Sequence, residues 1–564
     1  MKSYRSNSKS ALCGLFLLGF LFYAAIITNL CLFADCPVNK AIVPLSIILS
    51  SVTVFFLSAD RRVFLTATTI SILFIFLTAI VNTCIYDSTF DSIGYHYDIS
   101  VMMAEGWNPI YQPPINGSIW ARHYAKAIET IGGAMLSFTG NLQSVKCINF
   151  IFLASSLSTM WYSVSTVFPQ IPKKWKIALI FIAASNPILI WQLPSAYNDY
   201  CIWVETILLL SAFMLLWTDY NNLSAYILIL FTISLGINTK FTHFFYLGLE
   251  CLFFAGWCLY FKRYKLIKNG FITVSGALII GIFIIGYNPY VLNTINYSNP
   301  VYPLLTDRVD IMTGNTPEIY NNSNRIVNFT KSLLSLDEKP WALVKGDFSF
   351  SGISNSYANN MRVNGFGIFM FTMLVLGLIL MIINKTSAKW WVVYLSIFAM
   401  SMCFEQSWWA RYIPFLWLAI VIPVVISMTG TRLNNRVNKR TRLLLLILCF
   451  INASLSVSAT VIARLSYTTY INYVFSTQKE LDKPINVANL SISIRQQFKE
   501  RDIKIIEHES ISDLSNQEEL FRVFGFDFFD SVMELPADDY PKLYEDSNNL
   551  LDKIARYNKR KYLE

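Results

Sequence analysis

The chain has 564 residues, of which 54% are apolar and 14% charged, and its formal net charge is +9. A soluble globular domain carries about 25% charged residues, so this composition excludes an ordinary soluble enzyme and indicates a polytopic membrane protein. The basic excess lies in short segments between apolar runs, which indicates membrane topology and argues against nucleic acid as a partner. The ten cysteines contain no Cys-x-x-Cys spacing, so neither a disulfide framework nor a zinc site is expected.

Apolar runs long enough to cross a membrane recur along most of the chain. A spanning helix needs about 20 such residues. The first run follows Lys2, Arg5 and Lys9 as in a signal peptide, but no small-residue cleavage site follows, so we expect a retained helix. The sequence predicts an all-α polytopic membrane protein with about thirteen transmembrane helices. Their expected ranges are 11–33, 41–58, 63–85, 147–168, 177–196, 201–217, 223–239, 241–260, 270–291, 366–384, 390–406, 411–428 and 443–463.

Lys and Arg recur in alternate connecting segments, such as Arg61-Arg62, Lys173-Lys174 and the 432–442 segment. Because cytoplasmic loops of membrane proteins are enriched in these residues, the N-terminus is expected inside, and an odd helix count then places the C-terminus outside. We expect a multi-pass membrane protein whose long connecting segments and C-terminus lie on the outer side of the membrane. The long outer segments are 86–146, 292–365 and 464–564.

The predicted organisation has three parts. Residues 1–62 form an N-terminal transmembrane hairpin, 63–463 a membrane-embedded catalytic domain, and 464–564 a small extracytoplasmic domain of α/β or α-rich structure. The last part mixes polar stretches with aromatic residues, a composition that favours a folded domain over a disordered tail.

The first outer segment begins with a dense group of titratable side chains close to the membrane. Asp87, Asp91 and Asp98 lie within twelve residues, together with Tyr95 and His96. A carboxylate at a membrane–water boundary beside aromatic rings is partly desolvated, so its pKa rises toward the values that a general base needs. A solvated helix end is the alternative. The crowding of acidic, aromatic and imidazole groups favours a functional site.

Two basic residues break the positive-inside pattern. Lys240 and Arg411 lie in expected outer turns with little polar sequence around them, where a cation is costly unless it has a partner. A lipid-linked phosphate is one candidate partner. Snorkelling to the interface, or an ion pair with an acid such as Glu405, is the alternative.

A divalent cation is a further option at the same face of the membrane. Asp199 lies in an expected outer turn, with Glu205 one or two helical turns deeper. Paired carboxylates on one face can hold a metal ion, for which Asp87 and Asp199 are the candidate ligands. An ordinary polar turn is equally compatible with Asp199 taken alone.

The outer segments contain two more candidate substrate-binding residues. Lys126 lies in a stretch that, with Glu129 and Gly132-Gly133, is typical of an amphipathic helix on the membrane surface. Tyr302 belongs to a Pro- and Tyr-rich loop, which is rigid and extended and suits the roof of a sugar site.

Nine short motifs occur in order on the expected outer face. They are Asp91, Tyr95-His96, Gly106-Trp107-Asn108-Pro109, His123 to Lys126, Tyr197-Asn198-Asp199, Lys240-Phe241-Thr242, Asn288-Pro289-Tyr290, Tyr302-Pro303-Leu304 and Arg411-Tyr412. Together they resemble bacterial membrane glycosyltransferases of the GT-C superfamily, which use polyprenyl-phosphate sugars. The resemblance covers roughly residues 63–430, and the order of the motifs is more specific than any one of them.

This resemblance implies an inverting sugar transfer. Asp91 would orient or deprotonate the acceptor hydroxyl, and Lys240 and Arg411 would neutralise the leaving phosphate. The other substrate-binding candidates would position the sugar: Tyr95, His96, Lys126, Asp199 and Tyr302. The implied partners are a polyprenyl-phosphate sugar donor, membrane lipids and a glycan acceptor such as O-antigen. No cofactor is required by the resemblance, although a divalent cation is possible.

The chain departs from the family pattern in two respects. A helical hairpin, 11–58, precedes the usual first helix, and the first loop has no Asp-Asp or Asp-x-Asp pair, which leaves a metal requirement in doubt. A lipid-linked sugar transporter or flippase is one alternative, although Glu250 is the only strong midplane acid and no internal repeat is visible. A polysaccharide polymerase or ligase that uses pyrophosphate-linked oligosaccharides is another. A membrane scaffold with a receptor tail is disfavoured by the charges at the membrane edge.

Overall fold

A computed structural model of the chain describes residues 8–87, 89–306, 316–321, 323–336, 350–430, 435–480, 484–510, 520–522 and 532–534. Helices dominate these ranges, and the described strands are confined to the C-terminal tail. The helical class expected from composition is therefore confirmed. Much of the predicted C-terminal domain, and part of the outer segment 292–365, lie outside the described residues.

The first half of the chain contains long apolar helices and, after α3, a group of short ones. A π-turn over Ser92–His96 leads into α4, and a 3-10 turn over Leu142–Lys146 leads into α7. The bounds are α1 Lys9–Phe33, α2 Ile42–Leu57, α3 Arg61–Thr83, α4 Tyr97–Ala104, α5 Ile119–His123, α6 Ala127–Thr139, α7 Cys147–Val167, α8 Lys173–Ala184, α9 Pro187–Gln192, α10 Cys201–Thr218, α11 Leu223–Gly236 and α12 Phe241–Tyr260.

The second half continues in the same way until the tail. Short 3-10 turns over Ala410–Tyr412 and Pro414–Trp417 precede α19. The bounds are α13 Tyr264–Ile280, α14 Leu292–Tyr297, α15 Arg325–Leu333, α16 Phe350–Val363, α17 Met370–Ile383, α18 Ala388–Met402, α19 Leu418–Thr429, α20 Arg436–Glu480 and α21 Ile492–Lys499.

Seven helical segments in the described ranges are long and apolar enough to cross a membrane. They are α1, α3, Leu142–Val167, α10, α12, Tyr264–Ile285 and Arg436–Tyr473. Five shorter apolar helices accompany them: Ile42–Leu57, Leu223–Gly236, Met370–Ile383, Ala388–Met402 and Pro414–Thr429. Many of their large apolar side chains, such as Leu73 and Phe271, are exposed on the protein surface, as expected of helices that face lipid.

Helix α1 lies at the centre of the bundle, where it packs against α2, α3 and α7. Gly14 permits the close approach of α1 and α7, because a Cβ at this position would lie 2.4 Å from Thr159 Oγ1. Ser155 Oγ donates to the Gly14 carbonyl at 2.7 Å across the same interface. The predicted N-terminal hairpin therefore shares one apolar core with the helices that follow it.

The expected span 177–196 is not one continuous helix. Helix α8 ends at Ala184 and α9 begins at Pro187. Asn186 Oδ1 accepts the Ile188 N–H at 3.0 Å, and Pro187 occupies the first turn of α9. Both features start a new helix, so the chain breaks and restarts within this apolar run.

Helix α20 is much longer than the span 443–463 that hydropathy predicts. It has 45 residues and passes unbroken through the boundary predicted at 463/464. At 1.5 Å per residue it is about 68 Å long, more than twice the thickness of a hydrocarbon core of about 30 Å. Its C-terminal end therefore extends beyond the apolar part of the bundle and leads into the tail.

The tail contains a four-stranded mixed sheet in the order β2-β1-β4-β3. The strands are β1 Ile485–Ala488, β2 Ile505–His508, β3 Leu520–Arg522 and β4 Val532–Glu534. β1 pairs in parallel with β2, with Ile485 opposite Ile505, and antiparallel with β4, which in turn pairs antiparallel with β3. Helix α21 makes the crossover between the two parallel strands. Apolar side chains of β1 and α21 pack against Tyr86 and Ile93 of the first outer segment.

Helix α21 is held against α4 by polar contacts. The Ser493 N–H donates to Asp98 Oδ1 at 2.8 Å, and Lys499 Nζ lies 3.1 Å from Glu105 Oε1. Burial raises the pKa of Asp98 to about 6, although hydrogen bonds from Ser493 and Asn116 oppose the rise. The docked state therefore favours the protonated carboxyl.

We expect the docking of α21 to weaken as the pH rises from about 4 to about 6. The pKa of Asp98 is higher in the docked state than its ordinary value of about 3.9, so docking binds a proton in this window and loses stability once that proton dissociates. The check is the thermal unfolding midpoint between pH 4 and pH 7. Asp98→Asn should remove this component, whereas Asp502→Asn, an exposed control in the tail, should leave it in place. Identical pH profiles for wild type and Asp98→Asn would contradict the assignment.

Candidate functional site

Four charged side chains from four separate segments meet at one place, which we call the charged cluster. Asp91 precedes the first π-turn, Asp199 lies in the turn before α10, Lys240 caps α12, and Arg411 lies in a 3-10 turn. Arg411 Nη1 is 3.0 Å from Asp91 Oδ2 and 3.8 Å from Asp199 Oδ2. Lys240 Nζ donates to Asp199 Oδ1. The charges thus alternate along the order Asp91, Arg411, Asp199, Lys240.

The turn that contains Asp199 is fixed by amide side chains. Gln192 at the end of α9 donates from Nε2 to Asp199 Oδ2 at 3.0 Å and accepts the Tyr200 N–H at 2.8 Å. Asn198 donates to the Thr239 carbonyl at 3.0 Å, which ties this turn to the one that contains Lys240. The break between α8 and α9 helps to position Gln192 for this role, because the short α9 ends at this residue.

The Lys240–Asp199 pair remains ionised although both groups are buried. Burial alone would raise the pKa of Asp199, but the Lys240 ammonium and the Arg411 guanidinium outweigh it and hold that pKa well below its ordinary value. Burial alone would lower the pKa of Lys240, but Asp199 raises it. Opposite charges in a low-dielectric setting stabilise each other in this way. The pair therefore presents fixed charges at neutral pH.

Aromatic rings surround the cations of the charged cluster. The Arg411 guanidinium lies 4.1 Å from the Trp409 ring, 5.2 Å from Tyr412 and 5.6 Å from Tyr197, and Lys240 Nζ lies 4.7 Å from the Tyr412 ring. These contacts favour a cation over a neutral group. Arg411 Nε is buried and has no hydrogen-bond partner among the described residues. One donor of the guanidinium is thus unpaired among the described residues.

The members of the charged cluster differ in access to solvent. The side chains of Asp91 and Arg411 are 14% and 12% exposed, whereas that of Asp199 is 2% exposed. A molecule that approaches from solvent therefore meets Asp91 and Arg411 first. Asp199 lies behind them and neutralises Lys240.

Lys240 and Arg411 have different partners from those considered on sequence grounds. Both pair with carboxylates of the chain itself, Asp199 and Asp91, and Glu405 is exposed and forms none of the described ion pairs. The pairing joins Asp91 to a residue 320 positions away. Such a separation gives no local signal, so the ion-pair alternative could be raised from the sequence but its partners could not be identified.

Tyr95, His96 and Lys126 lie in the segment between α3 and α7, each with different contacts. The Tyr95 ring stacks against Trp120, with centroids 5.7 Å apart. His96 Nδ1 is hydrogen-bonded to Glu129 Oε1, and both side chains are buried. Lys126 Nζ donates to the Tyr124 carbonyl at 2.7 Å.

Two of the predicted substrate-binding residues, Lys126 and Tyr302, contact other residues of the protein outside the charged cluster. Burial lowers the pKa of Lys126 to about 7, partly opposed by Glu129, so this amine is not a fixed charge at neutral pH. The Tyr302 ring stacks on Tyr297 with centroids 4.1 Å apart and meets His123 edge-on. Among the described contacts, neither Lys126 nor Tyr302 bonds directly to the charged cluster.

Asp87 has a different role from Asp91, four residues later. Its carboxylate accepts from the Thr89 N–H at 2.9 Å and from the Ala196 N–H at 3.0 Å, and it pairs with Arg464 of α20 at 3.2 Å. Asp87 and Asp199, the candidate metal ligands, are thus each paired with a different cation. The described residues contain no group of three His, Cys, Asp or Glu side chains spaced to hold a metal ion.

The chain was also compared with known proteins. No family model, curated protein or solved structure matches it. Any function is therefore inferred from the site geometry and from the order of the motifs along the chain.

Two residues that shape this geometry were missed on sequence grounds: Gln192, which positions Asp199, and Glu129, which binds His96. The only local indication for Glu129 was its position as an acidic residue on a predicted helix that also contains Gly132 and Gly133.

Proposed function

We propose that this protein is an inverting GT-C-type glycosyltransferase. It moves a monosaccharide from a polyprenyl-phosphate carrier to a cell-surface glycan, such as O-antigen, on the outer face of the bacterial inner membrane. The observation that carries the proposal is the charged cluster, in which the two cations expected to bind the phosphate come together beside the carboxylate expected to bind the acceptor.

In the proposed reaction an acceptor hydroxyl attacks the anomeric carbon of the donor. The new C–O bond forms as the bond between that carbon and the phosphate oxygen breaks, so the electron pair goes to the leaving phosphate. The proton of the hydroxyl passes to a basic side chain of the site. The charge on the phosphate rises in this step, and Arg411 and Lys240 stabilise it more in the transition state than in the ground state. Asp91, the more exposed carboxylate, binds hydroxyls of the acceptor.

The charged cluster carries no net charge, because its two cations and two carboxylates cancel. A bound phosphodiester therefore meets no net negative charge and adds a single one. Arg411 has five N–H donors, of which Nη1 contacts Asp91 and Nε has no partner among the described residues. If the neighbouring side chains move aside to expose Nε, the guanidinium can bind a phosphate oxygen through it without losing Asp91. Asp199 meanwhile holds Lys240 in place.

The same geometry supports thirteen crossings with an outer C-terminus. The charged cluster joins the end of α3 to the starts of α10, α12 and the segment before α19, so all four lie on one face. This requires α7 to cross once, and α8 with α9 to cross back once as a broken helix. The twelve apolar helices and this broken one make thirteen. The tail, including its sheet, then forms an outer domain.

A transporter of lipid-linked sugars is the second candidate, because acidic groups are buried inside the bundle. Glu205 Oε2 lies 3.0 Å from His243 Nδ1, and Thr206 donates to Glu250. Ionisable groups within membrane helices are common along transport pathways. They lie behind the charged cluster, however, and do not explain its outer position.

The test uses purified protein in lipid vesicles with three lipid substrates. We expect release of polyprenyl phosphate from a polyprenyl-phosphate monosaccharide, and transfer of the sugar to a glycan acceptor with inversion at the anomeric carbon. Consumption of only a pyrophosphate-linked oligosaccharide would indicate a polymerase or ligase. Movement of labelled lipid between leaflets without transfer would indicate a transporter. Either result overturns the proposal.

A further inference from the structure

A buried histidine–carboxylate pair lies next to the charged cluster. His96 ends the π-turn that follows Asp91, and Glu129 lies in the first turn of α6. His96 Nδ1 and Glu129 Oε1 share a hydrogen bond, with the two side chains 3% and 2% exposed. The opposite ring nitrogen, Nε2, is buried and has no hydrogen-bond partner among the described residues.

The close packing of α4 against α6 holds this pair together. A Cβ at Gly132 would lie 2.6 Å from Ser100 Oγ, and one at Gly133 would lie 2.9 Å from Met103 Cβ, so larger residues would force the helices apart. Ser100 Oγ donates to the His96 carbonyl at 3.1 Å. The two glycines thus allow the carboxylate of α6 to reach the imidazole.

The hydrogen bond fixes the protonation pattern of the ring. With an ionised carboxylate at Nδ1, this nitrogen carries the proton and Nε2 keeps its lone pair. A carboxylate in this position also stabilises the imidazolium that forms when Nε2 accepts a proton. A buried polar atom without a partner is costly, so its retention beside a site calls for an explanation. Nε2 is therefore oriented, and keeps its lone pair, as a proton acceptor requires.

The Tyr197 ring lies between His96 and the charged cluster. Its ring centroid lies 6.3 Å from that of Tyr197, whose hydroxyl accepts the Asp91 N–H at 3.4 Å and whose ring lies 5.6 Å from the Arg411 guanidinium. The Tyr95 ring also packs against the imidazole, with ring centroids 4.1 Å apart. The Asp91 carboxylate is already engaged in an ion pair with Arg411 at 3.0 Å, whereas His96 Nε2 has no partner among the described residues.

We propose that His96 is the proton acceptor of the transfer reaction and that Glu129 is its positioning residue. This inference rests on the proposed function. As the acceptor oxygen forms its bond to the anomeric carbon, its proton passes to His96 Nε2, and the electron pair of the breaking C–O bond goes to the phosphate. The products are the glycoside, polyprenyl phosphate and an imidazolium stabilised by Glu129. Asp91 binds a neighbouring hydroxyl of the acceptor, and rearrangement of Tyr95 or Tyr197 gives the acceptor access to the buried ring.

The test is the pH dependence of transfer between pH 5 and pH 9 with a polyprenyl-phosphate monosaccharide. The groups that face the pair are Asp91, Tyr95 and Tyr197 around the imidazole, and Lys126 and Cys201 near Glu129. Wild type should lose activity on the acid side as the imidazole is protonated.

The variants have distinct expected profiles. His96→Asn should lower the rate by about 10²–10⁴-fold and remove the acid limb, with donor binding retained. Glu129→Gln should move the midpoint of the acid limb to lower pH and lower the maximal rate at least about tenfold, because the imidazolium loses its counter-charge. His508→Asn and Glu105→Gln, both in contacts away from the charged cluster, are the matched controls.

The outcomes separate this inference from the proposed function. If Arg411→Ala abolishes transfer while His96→Asn and Glu129→Gln keep the wild-type rate and pH profile, the transferase assignment stands and the histidine is not the proton acceptor. If wild type turns over none of the lipid donors, both fall. If His96→Asn does not fold, the direction of the Glu129→Gln acid limb decides, since a shift to higher pH or no shift overturns the inference.

Discussion

Replacing Arg411 with alanine is expected to lower the rate of sugar transfer by about 10²–10³-fold, because the phosphate loses its guanidinium donor as its charge builds. Arg411→Lys should remain partly active, since a lysine supplies a charge but neither the planar fork nor the stacking on Trp409. The measurement is turnover of a polyprenyl-phosphate monosaccharide by purified protein. Arg325→Ala, an exposed arginine that bonds the Met402 carbonyl, is the control.

The double variant extends this prediction to Lys240. Both cations contact Asp199 and are expected to act on one phosphate, so their effects should not be independent. Lys240→Ala combined with Arg411→Ala should cost less than the sum of the two single losses, expressed as free energies of activation. Fully additive losses, or wild-type turnover in Arg411→Ala, would exclude a shared phosphate site.

The membrane class and the placement of most apolar helices were predictable from local sequence. Hydropathy over about 20 residues and the distribution of Lys and Arg are local properties, and the structure has apolar helices near the expected ranges. The exceptions have local causes as well. Asn186 and Pro187 restart a helix inside one apolar run, and α20 continues into polar sequence because nothing between 463 and 480 breaks a helix.

The partners within the site were not predictable in the same way. Sequence order identified Asp91, Asp199, Lys240 and Arg411 as candidates, but left open whether the two cations bind an external phosphate or an acid of the protein, for which Glu405 was the example. Ion pairing depends on which turns meet in space, and Arg411 meets a residue 320 positions away. Likewise, spacing along the chain cannot distinguish a carboxylate that faces a substrate from one that is fully paired inside the protein.

Asp87 and Asp91 illustrate that distinction, because they lie one helical turn apart in sequence yet have opposite surroundings. Asp87 is inaccessible and paired with Arg464, whereas Asp91 is 14% exposed at the edge of the charged cluster. Breaking a buried ion pair by removing one partner costs about 3–5 kcal/mol. Substitution of Asp87 should therefore affect folding more, and transfer less, than substitution of Asp91.

Asp91→Asn should therefore leave protein level and unfolding temperature near wild type and lower transfer on the order of 10²-fold, because the acceptor loses its charged partner. Asp87→Asn should lower the unfolding temperature and the yield, while each folded molecule keeps nearly wild-type turnover. Adding Arg464→Gln to Asp87→Asn should restore part of the stability, since it removes the cation left without its carboxylate. Thermal unfolding and turnover per folded molecule, measured on the same preparations, separate the two effects. A stable Asp87→Asn protein without activity, or an active Asp91→Asn protein, would reverse the assignment of the two carboxylates.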